Sequence, residues 1–276
     1  LDQQGETDMT NPSVQKFIDA LEQQIRNAPS GVNAQALRDA IDAIKMSEPS
    51  DQDRVKIWFL LDRSGSMSGM AEDVISGFNG FLAKQGNGAT PTKMTLIQFD
   101  DQEPFEIVFD AQAVDQIPAL TSDVFQPRGL TPLHDAIGRL ISHADERIAN
   151  RAAHGDTVED QLVIVFTDGL ENASRDFSRT QVFDLIQDRT AQDWTFAFMG
   201  TNQDSYKEGH KIGLVDGNVQ NYDATGDSVQ DAFESISDAS DAYRAKPRCE
   251  RRRDKGDFLK DHKKAEERSR REHKSG

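Results

Sequence analysis

Along residues 54–243, short runs of consecutive apolar positions alternate with stretches whose apolar residues recur every three or four positions. VKIWFLL (55–61), KMTLIQF (93–99), FEIVF (105–109), QLVIVFT (161–167), WTFAFMG (194–200) and NVQNY (218–222) read as six strands. Strands apolar at successive rather than alternate positions are covered on both faces, as in a parallel sheet. Helical spacing predicts helices near 71–85, 132–149, 178–191, 203–213 and 226–243. The clearest follows Pro132, where Leu133, Ile137, Leu140, Ile141, Ala144 and Ile148 form one apolar stripe. Only DDQEP separates the second run from the third, which predicts an antiparallel hairpin at one edge. The pattern is α/β: a doubly wound, mostly parallel six-stranded sheet with one antiparallel edge strand. No repeat with a period of about 20–50 residues is evident.

The flanks differ. Val14, Phe17, Ile18, Leu21 and Ile25 keep helical spacing, and Leu37, Ile41 and Ile44 resume it after APSGVN. Residues 1–53 therefore read as a helical N-terminal extension ending in the linker SEPSDQD, 54–244 as the main domain, and 245–276 as a basic charged tail, helical or disordered. The chain carries 32 basic and 48 acidic residues, a net of −16. Residues 244–276 hold 14 basic and 7 acidic of these, so the rest carries a net of −23. Such a body repels nucleic acid and anionic membrane, and only the tail would attract them. In CERRRDKGDFLKDHKKAEERSRREHKSG the signs mix in almost every turn, which favours a solvated, ion-paired helix or flexible tail. An electrostatic handle for an acidic partner or for nucleic acid is the alternative, although Phe258 is the only aromatic residue there to stack on a base. Folding back onto the acidic body is a further one. The longest apolar run is far short of the ~20 residues of a membrane helix. The polar start LDQQGETDMTNPS has no apolar leader core, although the chain begins with Leu. One cysteine, Cys249, permits no internal disulfide, and the expected setting is cytoplasmic.

Candidate chemistry gathers where the first strand ends. In LLDRSGSMSGM (60–70), oxygen-bearing side chains recur at Asp62, Ser64, Ser66 and Ser68. Open α/β sheets bind ligands at the carboxyl ends of their strands. Thr131 in RGLTPLHDAI and Asp168 in VIVFTDGLENAS fall at equivalent ends, as do Asp100 and Asp101. Asp62, Ser64, Ser66, Thr131 and Asp168 together form a small all-oxygen donor set suited to a hard divalent cation. Mg²⁺ is the expected ion, and Mn²⁺ or Ca²⁺ would also be accommodated. Two carboxylates leave such a cation electrically lean, so it would take an acidic side chain from a protein partner. Other motifs fit less well. An EF-hand loop starting at Asp62 finds Met67 and Asp73 where Gly and Glu belong. A D-x-D phosphatase loop meets Ser64, and G-x-S-x-G meets Met67 at its centre. A serine hydrolase using Ser66, Asp168 and His134 or His143 is a remote alternative. The plainer reading is a polar turn with Ser66 or Ser68 as N-cap. For Asp100 and Asp101, a strand end in solvent is favoured over a second cation site. Glu171 and Asn172 open a loop, and either turn formation or partner contact suits them.

D62-R-S64-G-S66-M, RGLTP around Thr131 and FTDGLEN around Asp168 resemble a von Willebrand factor A (VWA) domain with a metal-ion-dependent adhesion site, or MIDAS. The resemblance covers about 55–243 and implies a Rossmann-like fold. It implies that Asp62, Ser64, Ser66, Thr131 and Asp168 are the metal site, with Thr131 and Asp168 reaching the ion directly or through water. It implies a non-catalytic interaction module closer to the intracellular bacterial members, and a last helix that shifts when ligand binds. Leu130 departs from the small residue more usual before the threonine. An adaptor subunit for a separate ATPase is the alternative. No G-x-x-x-x-G-K-[ST] loop is present, so that activity would come from elsewhere.

Overall fold

All eight residues of β1 (Val55–Asp62) are buried, as its run of consecutive apolar positions requires of a strand covered on both faces. In the computed structural model β1 is central in a six-stranded sheet of order β3-β2-β1-β4-β5-β6. The others are β2 (Thr92–Phe99), β3 (Glu106–Ala113), β4 (Asp160–Phe166), β5 (Thr195–Thr201) and β6 (Val219–Tyr222). Every pairing is parallel except β2 with β3. The structure describes residues 54–88, 92–201 and 205–275, and positions 19, 20, 23, 25, 26 and 38. The chain divides into two units, Leu1–Ser50 and Asp51–Gly276. Those six N-terminal positions are helical; the rest of the expected extension and its linker lies outside the described residues.

Alternate side chains of β1 build two cores. Ile57, Phe59 and Leu61 meet Phe78 and Phe81 of α1 (Ala71–Gly86) and Phe233 and Ile236 of α5 (Gly226–Ala245). Trp58 and Leu60 meet Leu140 and Ile141 of α2 (Leu133–Ala153) and Val182 and Ile186 of α3 (Arg179–Ala191). A short α4 (Ser205–Lys211) precedes β6. α1 and α5 cross closely at Gly77, where a Cβ would stand 2.3 Å from the Phe233 ring. With β2 on one side of β1 and β4 on the other, the winding reverses at β1. Asp62 lies at that carboxyl end, where ligands bind in open sheets.

Two features depart from expectation. β3 runs four residues past the apolar run that predicted it. As an edge strand it is solvated on one side, so its second half, DAQA, needs no apolar run. A register shift and a left-handed Ala111 (φ 48°) accommodate the irregularity. The second departure is the C-terminal stretch, which forms α6 (Arg248–Arg253) and α7 (Lys264–Ser275) and packs on the sheet rather than standing solvated. Phe258, Leu259 and Ala265 join the core. Arg251 is fully buried, its Nε 2.9 Å from Asp160 Oδ2, and Arg248 Nε lies 2.7 Å from Asp160 Oδ1. Lys264 pairs with Asp238, and Arg268 with Asp227 and Asp231 on α5. The segment thus folds back on the acidic body. Leu259→Ala should cost about 2–5 kcal/mol in urea denaturation, as for a buried leucine. The exposed Lys260→Ala should stay within about 0.5 kcal/mol. Equal, small effects would return the segment to a solvated tail.

Lys56 is buried within β1, donating to Thr95 Oγ1, with its ammonium 4.5 Å from the Trp58 ring centroid. Burial pushes its pKa down from 10.5 to about 7; Arg147 pushes the same way, and Asp110 and Glu159 oppose. Between those pH values the unfolded chain holds a proton that the folded chain has released, so stability rises with pH. Below pH 7 both states are charged, and the penalty is complete. Lys56→Met leaves Thr95 bonded to Asp110 Oδ1 at 2.6 Å and to Ala111 N at 3.0 Å. It should be more stable than the parent by a few kcal/mol at pH 7 and below. That advantage should shrink towards pH 10 in denaturation series run across pH. A pH-independent difference would refute the assignment.

Candidate functional site

The register sets the chemistry. Leu61 pairs with Phe166, so Asp62 stands beside Thr167, the first residue beyond β4. The Asp62 carboxylate is fully buried and held at both oxygens. Its Oδ1 accepts from Ser64 N at 2.7 Å, and its Oδ2 from the Thr167 hydroxyl. Ser64 Oγ lies 3.1 Å from Ser66 Oγ, and Ser66 Oγ donates to Asp168 Oδ1 at 2.7 Å. Asp62 and Ser64 are buried, Asp168 is half-buried and Ser66 is exposed, so the row of oxygens runs from the interior to solvent. Thr131 is buried, and a Cβ at Gly169 would stand 2.6 Å from its Oγ1. The loop after β4 can lie against Thr131 only because position 169 is glycine. The structure therefore gathers Asp62, Ser64, Ser66, Thr131 and Asp168 at one place.

Ser68 is not among them, since its hydroxyl donates to Gly65 O at 2.8 Å inside the 3-10 turn Gly65–Met70. Neither Ser66 nor Ser68 caps that turn. Its N-cap position is Ser64, which makes no capping side-chain bond.

Electrostatics follow from burial. Desolvation pushes the Asp62 carboxyl up to about 6, against the opposing Thr167 and Ser64 hydrogen bonds, and the Asp168 charge adds to the rise. Burial raises Asp168 too, against the Ser66 hydrogen bond. Arg63, next to Asp62 in sequence, turns away to Asp100, Gln98 and Glu106. The two carboxylates thus share an oxygen-lined site whose neighbouring arginine is engaged elsewhere. Among the described residues no three His, Cys, Asp or Glu side chains gather as a metal cluster, so any metal here would rely on hydroxyls.

Three loops are tied together around the site. Gly65 N donates to Gly129 O at 3.1 Å. Thr131 N donates to Asn172 Oδ1 at 2.9 Å, and Asn172 N returns to Thr131 O at 3.1 Å. Glu171 accepts from His134 N, Ala173 N and Ser174 N, and Asp135 accepts from Arg175 N, Asp176 N and Phe177 N. Glu171 and Asn172 therefore act inward, as anchors between the start of α2 and the loop after β4. The sequence pattern concealed this, because the partners on the other loop, His134 for Glu171 and Thr131 for Asn172, are 37 and 41 residues away.

His143 stands edge-on to Trp58, with ring centroids 5.8 Å apart, and lies 5.9 Å from Phe105. His134 Nδ1 lies 3.6 Å from Glu171, and burial lowers its pKa. The Ser66 hydroxyl is spent on Asp168, not on a histidine.

Asp100 corrects an expectation. It is fully buried, not a strand end in solvent, whereas Asp101 beside it is exposed. Burial alone would raise the Asp100 pKa, but hydrogen bonds from the Glu103 backbone, Arg128 and Arg63 outweigh it and hold the carboxyl below its ordinary value. Sequence reading missed this because nothing at position 100 announces the arginines at 63 and 128.

Comparison with known proteins agrees with the architecture. The model of the von Willebrand factor type A domain matches residues 56–236. No curated protein matches the chain. Among solved structures, the pilus adhesin SpaC of Lactobacillus rhamnosus GG, in its open conformation, is 13% identical with TM-score 0.50, over 69% of this chain and 30% of that one. Proximal thread matrix protein 1 of the mussel byssus is 14% identical with TM-score 0.47, over 66% of this chain and 46% of that one. Manganese-loaded TRAP of Plasmodium vivax is 21% identical with TM-score 0.45, over 62% and 69%. The chain thus spans less than half of the adhesin and of the byssus protein. The matched family model covers most of the chain, and the sheet carries the order and edge hairpin described above; the chain belongs to the von Willebrand factor type A domain family.

Proposed function

We propose that this chain is a metal-dependent protein-interaction module in which Asp62, Ser64, Ser66, Thr131 and Asp168 hold a divalent cation, Mg²⁺ by preference. The bound ion would act as a Lewis acid that accepts the carboxylate of an Asp or Glu from a protein partner. The observation that carries this reading is the oxygen row from Asp62 to Ser66 and Asp168. A buried carboxylate is costly unless paired or bound to a metal. Asp62 has two hydrogen bonds to its oxygens and a second carboxylate as the charge that acts on it. Hydroxyls and carboxylates suit a hard cation.

The chain's own groups have separable tasks. Ser64 N and Thr167 aim the Asp62 carboxylate, and fixed aim of this kind supports metal affinity. Ser66 positions Asp168. Asn172 and Glu171 hold the Thr131 loop to the Asp168 loop. Leu130 and Leu170, 50% and 57% exposed, sit on those two loops beside the site. Exposed apolar side chains beside a polar site suit contact with a protein surface better than with a small soluble acid.

Titration calorimetry of Mg²⁺ and Mn²⁺ into the chelator-stripped chain should show one site. Asp62→Ala and Asp168→Ala should abolish it, and Ser66→Ala should weaken it about 10-fold or more. Absence of heat with Mg²⁺, Mn²⁺ and Ca²⁺, alone and with a glutamate-bearing peptide, would sink the proposal.

A further inference from the structure

The metal reading leaves Asp100 without a task, yet its carboxylate is among the most heavily bonded groups at this end of the sheet. Its Oδ2 accepts from Arg63 Nε at 2.8 Å and from Arg128 Nε at 2.9 Å, and Arg63 Nη2 stands 2.7 Å away as an ion-pair contact. Its Oδ1 accepts from Gln102 N and Glu103 N, each at 2.8 Å. Arg63 lies in the loop that carries Asp62, Ser64 and Ser66; Arg128 lies in the loop that leads to Thr131. We propose that Asp100 is the positioning residue of the candidate site, a buried anion through which the two loops are clamped in register. This rests on the metal reading above.

Two arguments support the clamp. The first concerns charge. Two guanidinium groups converge on one carboxylate oxygen, and without that negative charge they would repel. Arg63 is buried, and its remaining acidic partner is the half-exposed Glu106. Loss of the charge at Asp100 would leave an under-neutralised cation one residue from Asp62, where it would compete with any metal for that carboxylate. With Asp100 ionised, Arg63 is held away. The Asp100 oxygens already accept four hydrogen bonds, so the residue serves as an anchor and not as a second cation site.

The second argument concerns geometry. Backbone bonds knit the same three loops: Arg63 N to Phe99 O at 3.0 Å, Arg128 N to Arg63 O at 2.8 Å, and Asp101 N to Leu130 O at 3.2 Å. Asp101 Oδ1 accepts from Leu130 N at 2.8 Å. Between these contacts Gly129 adopts φ +66°, and a Cβ there would stand 1.9 Å from Asp101 Oδ1. Only glycine meets both demands. The end of β2 is therefore a template on which the 128–131 segment is laid, and Thr131 follows immediately.

A cycle of substitutions separates positioning from general support. Mg²⁺ affinity would be measured by calorimetry for the parent, Asp100→Asn, Thr131→Ala and the double variant, with melting in chelator as the check of folding. Asp100→Asn should weaken Mg²⁺ about 10-fold or more, in the range seen when residues behind metal ligands are lost. The double variant should be weakened clearly less than the product of the two single effects, because Thr131 is already out of place when Asp100 is neutral. Should Asp100→Asn fail to fold, Arg128→Gln, whose side chain is 42% exposed, replaces it in the same cycle, with a smaller loss and the same coupling. A folded Asp100→Asn that binds Mg²⁺ like the parent, or effects that simply multiply, would overturn the clamp while leaving the metal reading intact. A parent that binds none of Mg²⁺, Mn²⁺ and Ca²⁺, alone or with the glutamate-bearing peptide, would overturn both.

Discussion

A carboxylate held out of water is the constraint around which this end of the molecule is built. Asp62 ends a strand that is buried on both faces, so it inherits the low-dielectric setting of the core while keeping a hydrogen-bonding group at the carboxyl end of the sheet. Desolvation raises its pKa despite the bonds from Ser64 and Thr167. The usual remedy, an ion pair, stands next door at Arg63 and is diverted to Asp100. The fold therefore spends Arg63 on Asp100 and leaves the Asp62 and Asp168 carboxylates in a shared site where burial raises the pKa of both. That choice is intelligible if the site answers to a cation from outside the chain.

The diversion of Arg63 shows how one charge can set two local structures. Asp100 draws Arg63 inward and Arg128 across, which keeps the site anionic and brings the loop before Thr131 alongside the first loop. Neighbouring loops use the same device with other partners. Glu171 takes one backbone N–H from the start of α2, and Asp135 takes three from the loop after β4. Acidic side chains near the site thus bind backbone and arginine donors, and the residues left facing the opening are Ser66 and Asp168, with the buried Asp62 behind them.

Much of this was legible in the sequence, and what was missed has a common physical cause. Six strands, their central run and the antiparallel edge follow from apolar periodicity, because burial on two faces leaves consecutive apolar residues. That Asp62, Ser64, Ser66, Thr131 and Asp168 lie together could be expected from the polar spacing after β1 and from the motif segments around Thr131 and Asp168. Asp100 was misread since a strand-terminal aspartate normally faces water, and its arginines come from 37 and 28 residues away. Lys56 sits in an apolar run and is buried with it, a case in which pattern overrode residue type. The C-terminal segment was misjudged because two adjacent apolar residues, Phe258 and Leu259, carry its packing. Its charges are matched by residues far off in sequence.

Those charges complete the electrostatic picture. The basic excess of residues 244–276 is matched within the chain by part of the body's acidic excess. Asp160 takes Arg248 and Arg251, Asp193 takes Lys255, and the acidic face of α5 takes Lys264 and Arg268. Exposed ion pairs of this kind contribute little singly. The buried Arg251–Asp160 pair differs, because removing either partner strands a charge in the core. Cations engaged in this way are poor recruits for nucleic acid, whose phosphates would have to displace carboxylates already in place. The basic segment is better understood as the counter-charge of α5, with its cations engaged away from the carboxyl ends of β1 and β4.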